Sequence, residues 1–142
     1  MKNQKVFIVY GSPLSGKTTY VKEHMQKGDL VIDIDNIWEC VSGCNRYEKP
    51  RELDDIVIHT YNELIKNVKE RKGAWKNAYV ILSEPSIRFI EKTKNNLNAT
   101  LIHIDTDKET CLKRLYENSD GRDIATWKRY INNYFWFAEK GE

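Results

Sequence analysis

Cysteine is scarce in this sequence, three residues in 142, and the number is odd. Cys40 and Cys44 form one C-x-x-x-C pair, but no second ligand pair follows, so the spacing argues against a structural zinc site. Reduced, mostly buried thiols are expected instead. Long hydrophobic runs are also missing. The longest are strand-length, and Met1-Lys2-Asn3-Gln4-Lys5 leads into an apolar run without the pattern of a signal peptide. That speaks against a membrane partner and for a soluble, cytoplasmic protein. Neither sign of charge dominates: 23 Lys and Arg face 21 Asp and Glu, a net charge of +2. Such a balance is too small to argue for nucleic acid by itself. The basic stretch Lys66, Lys69, Arg71, Lys72 and Lys76 reads as the solvated, dipole-matched end of a helix rather than a binding patch. No repeat, linker or low-complexity segment interrupts the chain. Its length suits one domain spanning 1–142, large enough for a real core but short for a multi-part nucleotide-driven motor. His24, His59 and His103 are scattered and receive no catalytic role.

What the chain does have is the run Gly11-Ser12-Pro13-Leu14-Ser15-Gly16-Lys17-Thr18, continued by Thr19, directly behind Val6-Phe7-Ile8-Val9. It matches the phosphate-binding pattern G-x-x-x-x-G-K-[ST] at every position. Each position has a mechanical reason. Gly11 and Gly16 let the backbone turn tightly and aim N–H groups inward, where a side chain would block phosphates. Lys17 reaches the β- and γ-phosphates, and the Thr18 hydroxyl holds Mg²⁺. A helix over 18–26 would add its N-terminal dipole. ATP and Mg²⁺ are therefore the expected cofactors.

Apolar strand-like runs recur at Val6–Tyr10, Leu30–Ile34, Tyr79–Leu82 and Leu101–Ile104, each followed by a polar turn and helical spacing. This alternation predicts an α/β protein of the P-loop NTPase type, with a small parallel sheet of about four strands and helices on both faces. A long helix after Pro50 should bury Leu53, Ile56, Val57, Tyr61, Leu64, Ile65 and Val68 until Gly73 stops it. Another should run from Ser86 to Leu97 with Ile87, Ile90 and Leu97 inward. Thr106-x-x-Glu109 reads as a capping box opening a helix that carries Cys111, Leu112 and Leu115. The last, Asp123 to about Glu139, should bury Ile124, Trp127, Ile131, Tyr134, Phe135 and Ala138. The aromatic run Tyr134-Phe135-Trp136-Phe137 covers more than one helix face, with packing against the sheet its expected use.

Ligands of open α/β sheets bind at the carboxyl ends of the strands. The second strand ends in Ile32-Asp33-Ile34-Asp35 and enters the helix-like turn Asn36-Ile37-Trp38-Glu39. Two carboxylates at that edge suit chemistry, although Asp35 can also cap the following helix. The third strand ends in Leu82-Ser83-Glu84, delivering an acid beside the phosphate loop. Glu117-Asn118-Ser119-Asp120-Gly121-Arg122-Asp123 is a short polar segment suited to a mobile lid that brings a cation onto a transferring phosphoryl group. A surface salt bridge of Arg122 with Asp120 or Asp123 is the alternative.

With the loop, the Asp-ended second strand, the Ser-acid end of the third, and Leu112-Lys113-Arg114 ahead of the Gly/Arg segment, the chain resembles the kinase domain of phage polynucleotide kinase. It is also similar to the wider group of small P-loop kinases that includes zeta toxins, and to small phage-encoded P-loop proteins. The resemblance runs from about Val6 to Phe137. It implies Lys17 and Thr18 for ATP and Mg²⁺, Asp35 as the base facing the acceptor hydroxyl, Arg122 as the lid arginine and Arg114 on the nucleotide side. Glu84 falls where the family places an Asp near the metal. The family expects an arginine three residues after the base to hold the acceptor, and Trp38 stands there. Arg46 is the nearest following cation and the candidate replacement, and Trp38 is a candidate platform for a base. An ordinary loop or core role is the alternative for each. Asp33 is a candidate to orient the acceptor or bind metal-bound water.

The expected function is transfer of the γ-phosphoryl group of ATP to a hydroxyl of a polynucleotide, nucleotide or small metabolite. A nucleotide-binding NTPase or an accessory protein in phage DNA processing is the alternative. Acceptor, donor base preference and oligomeric state are not assigned by the sequence.

Overall fold

The computed structural model describes residues 3–141. The four apolar runs form four strands, β1 (Lys5–Tyr10), β2 (Leu30–Ile32), β3 (Asn77–Leu82) and β4 (Thr100–His103). They make one parallel sheet in the order β2-β3-β1-β4. The helices are α1 (Lys17–His24), α2 (Ile34–Ser42), α3 (Asp54–Lys69, preceded by a 3-10 turn at Arg51–Leu53), α4 (Ile87–Leu97), α5 (Lys108–Glu117) and α6 (Ile124–Glu139). The chain has the α/β fold of a P-loop kinase-like protein. Among the described residues no helix is long and apolar enough to cross a membrane.

Successive strand residues point to opposite faces, and in a parallel sheet both faces must be covered. Val6 and Ile8 of β1, Ile32 of β2, and Ala78 and Val80 of β3 pack with Val68 of α3 and Ile90 and Leu97 of α4. Their neighbours Val9, Tyr79 and Ile81 point the other way and pack with Val21 of α1. Each fully buried aliphatic side chain contributes up to about 1.5–3 kcal/mol, so this alternation fixes the register of the sheet. The layering also fixes the site. The connection leaving β1 passes over the face carrying α1, and the one leaving adjacent β3 passes over the face carrying α4. A crevice opens where neighbouring strands send their connections to opposite faces, at the carboxyl ends of β1 and β3. α5 and α6 pair through Cys111, Leu115, Trp127 and Ile131, and Leu14 and Tyr47 lean on the same cluster.

Several sequence expectations need correction. β2 ends at Ile32, because Asp33 turns out to cap α2 and Ile34 is its first residue. The turn after it is a full helix closed by Gly43 in the left-handed region, φ 71°. In α3 the buried stripe runs through Val57, Tyr61, Leu64 and Val68. Ile56, rotated about 100° from Val57, is 55% exposed. Ile87 and Ile124 begin their helices and Ala138 lies in the last turn of α6, and all three are exposed where the helix ends run past the packed stripe. The capping box does not form: α5 is preceded by Asp107 without a side-chain cap. Of the aromatic run, Tyr134 is buried and Phe135 half-buried, whereas Trp136 and Phe137 face solvent. Only Cys111 is a buried thiol; Cys40 is exposed and Cys44 intermediate. Lys66, Lys69, Lys72 and Lys76 are exposed around the end of α3, as a solvated basic end should be.

Candidate functional site

The phosphate loop leaves β1 through Gly11, whose amide donates to Leu82 O at 3.3 Å. A Cβ at Gly11 would lie 2.6 Å from Ile104 O and 2.8 Å from Ser15 Oγ, so only glycine fits. Leu14 takes φ 62° and Gly16, the N-cap of α1, takes φ 104°. Left-handed backbone is costly for leucine, and it is held here from outside. Arg114 Nη1 donates to Leu14 O at 2.9 Å and Thr106 Oγ1 donates to Ser15 O at 2.7 Å. No side chain caps α1. The first-turn amides of Lys17, Thr18 and Thr19 therefore have no intrahelical acceptor, and the helix dipole adds positive potential at the same point.

Lys17 is 7% exposed, and its Nζ donates to Gly11 O at 3.0 Å and Ser12 O at 2.6 Å. Burial lowers its pKa to about 8, against the raising influence of Asp33, Cys111 and Asp35, with Arg122 adding to the lowering. Those couplings place acids and cations around one ammonium. Ser12 and Ser15 are buried, and Ser15 Oγ is left without a partner. Uncapped amides, a buried ammonium and an unspent hydroxyl suit a polyphosphate.

At the next strand end, the Asp-x-Asp pair divides its labour. Asp33 Oδ1 accepts from Asp35 N at 3.0 Å and caps α2, while Asp33 Oδ2 accepts from Arg46 Nη2 at 2.7 Å. Burial raises the Asp33 pKa, and the Asp35 charge adds to it, while the two hydrogen bonds oppose. The capping role considered for Asp35 thus belongs to Asp33, whose two oxygens are both engaged. Asp35 sits in the first turn of α2, and its Oδ1 pairs with Lys49 Nζ at 3.1 Å. Arg46 is brought to the acid edge. Trp38 is not: it is 5% exposed and packs with Ile37 and Val57 between α2 and α3, so the stacking role weighed for it is corrected to a core role.

Arg122 stands in the connection between α5 and α6. It pairs with Asp120, as the salt-bridge alternative had it, but it does not lie on the surface: its side chain is only 13% exposed. The guanidinium carbon is 3.9 Å from the centre of the Tyr47 ring and 4.7 Å from that of Trp127. Glu84, just past β3, accepts from Ser86 N at 3.0 Å through Oε1.

One cleft of about 1300 Å³ collects these groups. Its walls include Lys17, Thr18, Thr19, Asp33, Asp35, Arg46, Glu84, Arg114 and Arg122. Among the described residues no group of three or more His, Cys, Asp or Glu is arranged to hold a metal. A Mg²⁺ ion here would depend on nucleotide oxygens and water beside Thr18 and Glu84, the usual coordination of that ion.

Sequence reasoning missed Tyr47, Lys49 and Thr106. The first two share the connector of Arg46, where no periodicity marks them. Thr106 lies past β4, at the carboxyl edge where ligand-facing residues gather, and that position was its signal.

Among solved structures, the fold is similar to a chain of the Pnkp1/Rnl/Hen1 RNA repair complex, with a TM-score of 0.68 and 14% identity over 100% of this chain. The match covers 47% of that chain, so this one spans about half its length. No protein-family model matches the sequence, and no curated protein matches it either.

Proposed function

We propose that the chain is an ATP-dependent phosphotransferase, a single kinase-like domain over 1–142, that moves the γ-phosphoryl group to a hydroxyl of a polynucleotide, nucleotide or small metabolite. The observation that carries this reading is the shared cleft of the phosphate loop and Asp35. A nucleotide switch needs the first and has no use for the second. The fold likeness to a chain of an RNA repair complex supports a polynucleotide among the acceptors.

Bound ATP·Mg²⁺ would supply the phosphoryl group and part of the neutralising charge. The amides of the loop and of Lys17, Thr18 and Thr19 bind the phosphates, and Lys17 turns its ammonium from the carbonyls of Gly11 and Ser12 to the β/γ oxygens. Thr18 and Glu84 would hold the Mg²⁺ that accompanies the nucleotide. Asp35 accepts the hydrogen bond of the acceptor hydroxyl and takes its proton once Lys49 yields the carboxylate. Arg122 and Arg114 offset the charge spreading over the phosphoryl oxygens.

The test is transfer from γ-labelled ATP to a panel of 5′-hydroxyl oligonucleotides, nucleosides and nucleotides, with Asp35→Asn alongside. Asp35→Asn should lower transfer by roughly 10²–10⁴-fold, the span of a general base, with ATP binding retained. Melting should hardly move, because the α2 cap is Asp33. ATP turnover without transfer to any acceptor, equal in both proteins, would establish the NTPase or accessory-protein alternative.

A further inference from the structure

We infer that Tyr47 and Trp127 are positioning residues for Arg122, seating its guanidinium in the cleft before nucleotide arrives. This rests on the reading of Arg122 as the cation that meets the transferred phosphoryl group.

The two rings stand at 79° to one another with centres 5.3 Å apart. With its carbon 3.9 Å from the centre of one ring and 4.7 Å from that of the other, the guanidinium is held against two nearly perpendicular aromatic faces. Asp120 holds it as well: it accepts from Arg122 Nη1, and its Oδ1 accepts the Arg122 backbone amide at 3.3 Å. Arg122 Nε is buried without any partner. A seated guanidinium with an unspent donor suits an anionic ligand, because a buried N–H left unpaired is costly.

The seat is itself anchored. Tyr47 N donates to Asn45 Oδ1 at 2.9 Å, and Asn45 Nδ2 donates to Asp120 O at 3.3 Å. A Cβ at Gly121, φ 92°, would lie 2.5 Å from Asn45 Nδ2, so the backbone of the lid segment rests directly on the connector. The same connector sends Arg46 to Asp33 and Lys49 to Asp35. One stretch of five residues therefore sets both the acid edge and the arginine. Lys49 also lies 5.7 Å over the Trp127 ring, so that indole serves both cations. A free arginine must be ordered in the transition state, which costs up to roughly thirty-fold in rate from side-chain entropy. The aromatic seat removes that cost in advance.

Tyr47→Leu tests this, with Tyr47→Phe as the conservative control. Tyr47→Leu should lower the maximal transfer rate roughly ten- to thirty-fold while changing ATP affinity less than about two-fold, and Tyr47→Phe should recover most of the rate. In an Arg122→Ala background, Tyr47→Leu should add little, because the group it positions is gone. A second readout needs no catalysis: trypsin cleavage after Arg122, followed by mass spectrometry in the nucleotide-free chain, should accelerate about ten-fold in Tyr47→Leu and not in Tyr47→Phe. Additive losses in the double variant, or unchanged cleavage after Arg122, would overturn the inference. A maximal rate untouched by Arg122→Ala would overturn the underlying reading of Arg122 instead.

Discussion

Replacing Thr106 by Val tests whether the phosphate loop is held from outside. The two side chains have nearly the same shape, so the change removes one hydroxyl and leaves Ser15 O without the donor that reaches it at 2.7 Å from 91 positions away. A part-buried carbonyl stripped of its donor costs about 1–2 kcal/mol. For a domain of this size that corresponds to a melting temperature lower by roughly 3–8 °C. Ser15 O belongs to the peptide unit leading into Gly16 and the uncapped amides of α1, so the loosening should reach nucleotide binding too. A ten-fold weaker affinity is the expected upper limit. At ATP·Mg²⁺ 100-fold above the parent Kd, ligand stabilises the parent by about 2.7 kcal/mol and such a variant by about 1.4 kcal/mol. The nucleotide-induced rise in melting temperature should thus shrink by up to half. The assay is thermal melting with and without ATP·Mg²⁺, with calorimetry for Kd. Glu109→Ala is the control, since a capping box would make it as damaging as Thr106→Val. Equal losses in the two variants, or an ATP-induced shift the same as the parent's, would refute the tether.

Burial holds Lys17 at about 8 against its ordinary 10.5, so between those values the unfolded chain binds more protons and stability must rise with pH. The cost of the buried charge is fully present below pH 8, and melts of the nucleotide-free chain from pH 7 to 10 should show the climb; Lys17→Met should flatten it, and a flat parent would overturn the assignment. ATP affinity should move oppositely, weakening about ten-fold by pH 9 as the competent ammonium is depleted, with Kd against pH as the check. Gly11→Ala places a methyl 2.6 Å from the backbone oxygen of Ile104, which has no rotamer through which to yield, and should destabilise by about 1–3 kcal/mol with loss of ATP binding. Chemical denaturation and calorimetry decide it, and parent-like behaviour in both would remove the steric account of this glycine.

Features written in local pattern were legible from the sequence. The phosphate loop is contiguous, and the strands announce themselves by short apolar runs, so the parallel sheet and its helices follow from spacing. Contacts between distant segments were not legible. Asp33 and Asp35 look equivalent in sequence, and only the start of α2 at Ile34 makes one the cap and leaves the other facing the cleft. Trp38 and Arg46 were both candidates for the acceptor side; helix rotation carried Trp38 into the core, while a loop with no periodicity carried Arg46 across to Asp33. Thr106 and Glu109 have the spacing of a capping box, yet α5 starts one residue later, after Asp107, and the Thr106 hydroxyl donates to a carbonyl of the phosphate loop. Seating Arg122 against Tyr47 and Trp127 depends on three segments meeting, which no window of sequence displays.

The strand order carries a consequence for how the chain is made. β1 and the phosphate loop leave the ribosome before β3 and β4, the strands with which β1 pairs and whose residues begin at 77 and 100. The braces on the loop come later still, at Thr106 and Arg114. At about 5–20 residues per second, β1 waits several seconds for its partners. During that interval the phosphate loop lacks both the strands beside it and the two side chains that brace it. A product truncated before Thr106 would therefore be an unbraced, apolar-strand-bearing fragment for the quality-control machinery to remove.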